Sequence, residues 1–183
     1  MSPAALLITG PPASGKTTLG RALAAELGGC LLDMDVLTGA LTEAIGELVG
    51  TADLDAPALS GRIRVARYES LLATAEDNLR VGVPVVLIAP FTAERTDPAA
   101  WAAARDRLSA AGGAPRLVWL RLPADELLRR LRVRAAGRDA AKLADPNAFL
   151  ARHPLTPPVV EHHEVDATED LTSQLGGILS SSS

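Results

Sequence analysis

Residues 10–17 read Gly10-Pro11-Pro12-Ala13-Ser14-Gly15-Lys16-Thr17, and they lie between an apolar run at 4–9 and a stretch with helical periodicity. The two glycines permit unusual backbone dihedrals and let main-chain amides approach an anion without an intervening side chain. Lys16 supplies a compact ammonium for the outer phosphates, the Thr17 hydroxyl is a ligand for Mg²⁺, and the following helix directs its N-terminus at the same anion. The spacing therefore predicts a phosphate-binding loop. The alternative is a glycine-rich strand-to-helix turn with an incidental lysine.

We expect the amides of this loop and Lys16 to dominate nucleotide binding. A charge-assisted hydrogen bond is worth roughly 1.5–3 kcal/mol, whereas a helix dipole at a partly exposed site adds about 0.3–1 kcal/mol. Lysine is rare in this chain, since only Lys16 and Lys142 occur among 18 basic residues. The residues expected to contact ATP are Gly10, Pro11, Pro12, Ala13, Ser14, Gly15, Lys16, Thr17 and Thr18.

The size and composition of the chain indicate one domain with an aliphatic core. The chain has 183 residues, of which 48% are hydrophobic but only 3% are aromatic. A core made of Ala, Val, Leu and Ile is typical of a buried parallel sheet covered by helices. We expect a single domain over 1–179 and a flexible tail of serines at 180–183.

Charge and cysteine content argue against several classes of protein. A net charge of −4 disfavours nucleic acid as the main partner. Cys30 is the only cysteine, so no intramolecular disulfide forms and nothing indicates an oxidising compartment. No secretory leader and no membrane-length apolar run is recognisable. We expect a cytoplasmic protein that acts on a small molecule without a membrane partner; the sequence does not distinguish a monomer from a homodimer.

Alternating apolar segments and helical patterns predict a doubly wound α/β fold. Strands are expected at 4–9, 30–35, 83–89, 116–122 and 163–166, with helices at 17–27, 36–49, 59–79, 98–111, 123–136, 141–152 and 169–179. This order predicts three layers, a five-stranded parallel sheet with helices on both faces. Such sheets bind ligands beyond the carboxyl ends of their strands, where the loop 10–17, the acids at 33 and 35 and the segment 89–91 all fall.

Asp33 and Asp35 are two residues apart at the end of the second predicted strand. On a regular strand their side chains would point the same way, toward one site. One carboxylate is then suited to hold hydrated Mg²⁺, and the other to orient an acceptor hydroxyl and take its proton. The alternative is that one or both cap the helix that begins near Val36.

Arginines near the end of the fifth predicted helix, at 123–136, are candidates for stabilising a transferring phosphoryl group. Arg134 and Arg138 flank Gly137, a candidate hinge, and arginine offers planar, permanently charged donors. Arg129 and Arg130 are expected to form a solvated face with a nearby acid instead. We place a short lid at about 135–146.

An acceptor-side region is expected at about 37–67. Arg62, Arg64 and Arg67 lie near the start of the longest predicted helix, and Arg62 is the candidate for binding the acceptor, although a solvated helical face is the more common arrangement. Phe91, at the carboxyl end of a strand, is the candidate wall of the acceptor pocket. The histidines lack metal-ligand spacing and are interpreted as structural.

These motifs resemble the small P-loop kinases of the nucleoside-monophosphate-kinase-like fold, which include shikimate kinase, gluconate kinase, chloramphenicol phosphotransferase and adenylate kinase. The loop 10–17 looks like their phosphate loop, and Leu32-Asp33-Met34-Asp35 looks like the Asp-x-Asp strand end of shikimate kinase. The resemblance implies the strand order 2-3-1-4-5, Thr17 and Asp33 as Mg²⁺ ligands, Asp35 as the acceptor-binding base, and a lid that carries Arg134 and Arg138. The segments 68–69, 78–82 and 89–92 resemble a set of uncharacterised ATP-binding kinase-like proteins more closely.

The chain also departs from these relatives. Ala89-Pro90-Phe91 stands where shikimate kinase has a glycine-rich turn. No aspartate ends the third strand, which shifts the metal role to Asp33. The resemblance implies an ATP- and Mg²⁺-dependent kinase with Lys16, Asp35, Arg134 and Arg138 as catalytic residues. The alternatives are a kinase for a nucleotide or nucleotide sugar, and an ATP-binding switch or interaction module with little turnover.

Overall fold

One parallel sheet forms the centre of the protein. The structure is a computed structural model that describes residues 2–49, 57–134, 143–152 and 155–180. Within these residues the sheet has five strands in the order β2-β3-β1-β4-β5, which confirms the predicted order. Leu7 in the central strand pairs with Leu87 on one side and Leu117 on the other. The strands are β1 (Ala4–Thr9), β2 (Cys30–Asp33), β3 (Val85–Ile88), β4 (Ala114–Arg121) and β5 (His163–Asp166).

The helices connect and cover these strands. Asp97 caps the fifth helix by accepting a hydrogen bond from the Ala99 amide, with Pro98 at the first position, as its sequence predicts. A short fourth helix directly after β3 was not predicted, since its five residues are too few to show a period. The described helices are α1 (Lys16–Leu27), α2 (Met34–Leu48), α3 (Pro57–Arg80), α4 (Thr92–Thr96), α5 (Pro98–Ala110), α6 (Ala124–Arg134), α7 (Pro146–Arg152) and α8 (Leu171–Ser180).

The sheet separates two hydrophobic cores. Leu7 and Leu87 pack with α3 and α5 in what we call the α3/α5 core. Their strand neighbours Leu6 and Val86 pack with α1 and α6 in the α1/α6 core. Each of these side chains is fully buried, and burial of one such side chain contributes about 1.5–3 kcal/mol. Successive residues of the inner strands therefore stabilise opposite layers, which explains why β3 and residues 4–8 of β1 are apolar at every position.

Among the described helices, none combines the length with the apolar composition needed to cross a lipid bilayer. Part of the predicted acceptor-side region, at 50–56, lies outside the described residues, and so does most of the predicted lid, at 135–142. Of the predicted tail, Ser180 is the last residue of α8, and 181–183 lie outside the described residues.

Candidate active site

The predicted phosphate loop connects β1 to α1 at the carboxyl edge of the sheet. Gly10 and Gly15 both have positive φ, of 155° and 92°. A Cβ atom at Gly10 would lie 2.9 Å from the Leu120 carbonyl oxygen, so the loop is packed tightly against β4 there. A Cβ at Gly15 would meet nothing within 4 Å. The loop therefore borders open space at the start of α1, where an anion is favoured by the helix N-terminus.

Two polar side chains of the loop are arranged around this space. The Lys16 ammonium donates hydrogen bonds to the carbonyl oxygens of Gly10 and Pro11, at 2.9 and 2.8 Å, and so lies over the loop. Ser14 is only 2% exposed, and its hydroxyl has no partner among the described residues. Buried hydroxyls are nearly always hydrogen-bonded, so this geometry fits a loop completed by a bound anion.

Thr17 and Asp33 form the oxygen pair expected at a magnesium site. The Thr17 hydroxyl donates to Asp33 Oδ2 at 3.1 Å, across the gap between α1 and β2. Asp33 Oδ1 accepts from the Asp35 amide at 3.0 Å, so the same carboxylate also caps α2. The described residues include no cluster of three or more His, Cys, Asp or Glu side chains suited to a metal. This donor set fits Mg²⁺, which commonly takes one or two protein oxygens and completes its shell with water and phosphate.

Asp35 lies in the first turn of α2, and its predicted position at the end of β2 is wrong because the Asp33 cap starts the helix at Met34. Its Oδ1 accepts a hydrogen bond of 2.6 Å from Arg67 Nη2. The Arg67 Nε also donates to the Thr38 hydroxyl at 2.8 Å, so α3 fixes the start of α2 through one guanidinium. Asp35 nevertheless remains 74% exposed and lines the cavity described below.

Arg67 is thus a functional candidate that the sequence did not single out among three arginines. Arg62, the predicted acceptor ligand, is exposed on α3 and is not part of the described cavity wall. Only the packing of α3 on α2 distinguishes the two, and no sequence period encodes that packing.

Phe91 does not form the predicted pocket wall. Its side chain is fully buried, and its backbone adopts φ 42°, which turns the ring into the α3/α5 core. There it packs edge to face on Tyr68 with 5.9 Å between ring centroids. Burial and the nearby charge of Glu94 raise the pKa of Tyr68 to about 12, so this hydroxyl stays neutral. Tyr68 and Phe91 therefore pack in the core beneath the site and do not line its surface.

The arginines of α6 form the opposite wall of the cavity. Glu126 accepts hydrogen bonds from Arg129 at 2.6 and 2.7 Å and from Arg130 at 2.6 Å, and these three hydrogen bonds lower the pKa of Glu126 to about 2. Both arginines face the cavity as well, in addition to being paired as predicted. Arg134, the last residue of α6, also lines the cavity, whereas Arg138 lies outside the described residues.

One cavity of about 1170 Å³ collects these groups at the carboxyl edge of the sheet. Eight of the nine predicted ATP-contacting residues line it, and the ninth, Ser14, lies beneath the surface. Two further residues that the sequence did not single out line the cavity. Arg95 lies on α4, which was not predicted, and Trp119 lies within the predicted strand β4, where nothing in the sequence marks it as a site residue. The wall outside the loop includes Asp33, Asp35, Pro90, Thr92, Arg95, Thr96, Trp119, Arg129, Arg130, Arg134 and Thr156. A cavity with one exposed carboxylate, one ammonium and several guanidiniums is suited to transfer of a phosphoryl group.

Comparison with known proteins agrees with this geometry. The family model described as AAA domain matches residues 6–155. No curated protein sequence matches the chain significantly. Among solved structures, a candidate kinase from Chloroflexus aurantiacus is 22% identical with a TM-score of 0.70, and the match covers 98% of each chain.

Two enzymes with named substrates have the same fold. The APS kinase of Mycobacterium tuberculosis, in complex with AMPPNP and APS, is 18% identical with a TM-score of 0.65; the match covers 98% of this chain and 96% of that one. A shikimate kinase from Bacteroides thetaiotaomicron is 19% identical with a TM-score of 0.57, and 97% of each chain is covered. The chain therefore belongs to the AAA domain family, and its fold is that of the small P-loop kinases.

Proposed function

We propose that this protein is an ATP- and Mg²⁺-dependent kinase that phosphorylates a hydroxyl group of a small molecule, such as a metabolite, a sugar or an antibiotic. One observation carries the proposal: the phosphate loop and the carboxylate of Asp35 line the same cavity. The kinases named above share the fold, and the structure with AMPPNP shows that this fold holds a nucleotide in a relative.

On the donor side, the loop amides and Lys16 bind the phosphates of ATP. Thr17 and Asp33 hold Mg²⁺, which supplies positive charge to the phosphate oxygens when it is bound. Arg134 and Arg138 stabilise the negative charge that accumulates on the transferring phosphoryl group. Because phosphoryl transfer needs little covalent chemistry from the protein, positioning and charge are the main contributions of these residues.

On the acceptor side, Asp35 orients the hydroxyl and takes its proton. Arg67 occupies Oδ1 of this carboxylate, which leaves Oδ2 for the acceptor. A general base of this kind contributes roughly 10²–10⁴-fold to the rate. Arg67 acts as a positioning residue, since it holds Asp35 without contacting the acceptor.

The proposal is tested with the substitution Asp35→Asn. We expect nucleotide affinity within a few fold of the wild type and a turnover lowered by about 100-fold or more, because the amide cannot accept the proton. Acceptors are first found by thermal shift with a non-hydrolysable ATP analogue present, since a binder stabilises the protein in proportion to occupancy. Turnover is then measured as acceptor-dependent formation of ADP.

Asp106→Asn is the matched control, because Asp106 is exposed on α5 and pairs only with its neighbour Arg105. Loss of nucleotide binding in Asp35→Asn would mean that this carboxylate is structural. A panel in which only nucleotides or nucleotide sugars are phosphorylated would identify the first alternative class. If no acceptor raises ATP consumption above its basal rate, the protein is a nucleotide-dependent switch.

A further inference from the structure

Trp119 lines the cavity and carries an indole N–H that has no partner among the described residues. Trp119, near the end of β4, is only 2% exposed, and its Nε1 has no hydrogen-bond partner among the described residues. A buried donor without a hydrogen-bond partner lowers the stability of the fold by about 1–3 kcal/mol. Trp119 is also a cavity-lining residue, so an acceptor atom of a bound molecule is able to reach this side of the site.

A guanidinium covers the same indole. The Cζ atom of Arg95 lies 5.2 Å from the centroid of the Trp119 ring. Arg95 Nη1 also donates a hydrogen bond of 3.0 Å to the Thr156 carbonyl oxygen. The indole and the carbonyl therefore hold the guanidinium in place before any ligand arrives.

No carboxylate of the described residues neutralises the charge of Arg95. Its side-chain partners within the described ranges are a carbonyl oxygen and an aromatic ring, and no carboxylate forms an ion pair with it. Burial lowers the pKa of Arg95 below its ordinary value, as expected for a cation partly removed from water. Most other arginines of the cavity and its border, such as Arg67, Arg129 and Arg130, are paired with an acid. Arg95 is thus suited to receive an external anion.

Arg95 and Trp119 lie on a different side of the sheet from the start of α1. Along β4, Val118 and Leu120 point into the α1/α6 core, whereas Leu117 points into the α3/α5 core. Trp119 has the parity of Leu117 and therefore lies on the α3/α5 side. It pairs in register with Thr9, which directly precedes the phosphate loop. An anion here would lie next to the phosphate loop but on the side of the sheet away from α1.

We propose that Arg95 and the Trp119 indole N–H form an anion subsite for the acceptor, so that the molecule phosphorylated carries a carboxylate or phosphate group besides its hydroxyl. The guanidinium neutralises the anionic group, and the indole N–H donates to one of its oxygens. This inference rests on the proposed kinase function and adds the substrate class, a hydroxylated anion.

The first experiment uses inorganic sulfate as the probe and Trp119 fluorescence as the readout. The chain has two tryptophans, so Trp101→Phe leaves Trp119 as the only indole. The variant is saturated with a non-hydrolysable ATP analogue to fill the phosphate loop, and sulfate is titrated at constant ionic strength. We expect a saturable change in Trp119 emission, and Arg95→Gln should raise the sulfate concentration at half effect by about 10-fold or more. Arg105→Gln, an exposed arginine of α5, should leave it unchanged.

Several results would overturn the subsite. One is a Trp119 emission that does not change saturably with sulfate in analogue-loaded protein. Another is a sulfate-dependent change that is present in ligand-free protein and disappears when the analogue occupies the loop. A loss of analogue affinity in Arg95→Gln would place Arg95 on the nucleotide instead. Failure of the analogue to bind the wild type would instead refute the proposed function, since the analogue arm contains no acceptor.

A second variant guards against misfolding of Arg95→Gln. Trp119→Phe keeps an aromatic ring beneath Arg95 and removes the N–H together with part of the indole, so its response to sulfate is compared with its own melting temperature without ligand. We expect the sulfate-dependent rise in melting temperature to shrink in this variant. In kinetic assays, acids such as gluconate and glycerol 3-phosphate are compared with the neutral alcohols glucitol and glycerol. A higher kcat/KM for the neutral alcohol than for its acid would contradict the inference. So would an Arg95→Gln variant that loses kcat/KM equally for the acid and for its neutral counterpart.

Discussion

Gly10 and Gly15 occupy the same loop, but alanine at the two positions meets different surroundings. Both residues have positive φ, so a side chain strains the backbone at either one. At Gly10 the added methyl also approaches the Leu120 carbonyl, which belongs to the central part of the sheet. At Gly15 it projects into open space, where the phosphates are proposed to lie. The first position is therefore fixed by packing and the second by ligand access.

We predict that Gly10→Ala lowers both the stability of the fold and nucleotide affinity, whereas Gly15→Ala lowers nucleotide affinity by a larger factor than its loss of stability explains. The backbone strain at each site costs about 1–3 kcal/mol. Urea unfolding and calorimetric titration with an ATP analogue give the two quantities separately. Equal loss of affinity and equal loss of stability in the two variants would contradict this difference.

At the scale of elements, one arginine connects α3 to α5. Arg107 of α5 binds Glu69 through hydrogen bonds of 2.6 and 2.8 Å and binds the largely buried Glu76 through Nε. Glu69 raises the pKa of Arg107, and the reverse interaction lowers the pKa of Glu69. Because α3 also carries Arg67, this connection holds the helix that positions Asp35.

Arg107→Ala should lower the free energy of unfolding by about 1–3 kcal/mol, because it leaves the Glu76 carboxylate with Arg80 as its remaining ion-pair partner. Arg105→Ala on the same helix removes an exposed pair with Asp106 and should cost less than about 0.5 kcal/mol. Chemical denaturation of both variants measures the contrast. Similar losses would show that the connection between α3 and α5 does not depend on Arg107.

The sequence predicted the elements whose signal is local and missed those set by packing between elements. Apolar runs identified β1 to β4, whereas β5 at 163–166 was predicted as a short last strand with one apolar residue, and the glycine spacing identified the turn between β1 and α1. The start of α2 was missed because Asp33 acts as a cap while also bonding Thr17, a contact made across the sheet edge. Phe91 was misplaced because a left-handed backbone in a non-glycine residue is unusual. Arg95 and Trp119 meet only through the tertiary fold, so no spacing in the chain brings them together.

At the scale of the whole molecule, the cavity borders both layers of helices. Its wall takes Lys16 and Arg134 from the α1/α6 side and Asp35 and Arg95 from elements on the β2–β3 side. A ligand that fills it therefore contacts elements on both faces of the sheet. Ligand binding should accordingly raise the free energy of unfolding of the entire fold.

We predict that an ATP analogue with Mg²⁺, at 100 times its dissociation constant, stabilises the protein by about 2.7 kcal/mol. For a chain of this size the melting temperature should then rise by roughly 5–11 °C. Lys16→Ala should remove most of this rise, because the ammonium lies over the loop, where it donates hydrogen bonds to the carbonyl oxygens of Gly10 and Pro11. The rise is measured against the melting temperature of the same variant without ligand. Chelation should reduce the rise, because it removes the Mg²⁺ that the oxygens of Thr17 and Asp33 are proposed to hold. A rise of equal size in Lys16→Ala would mean that the analogue binds away from the loop.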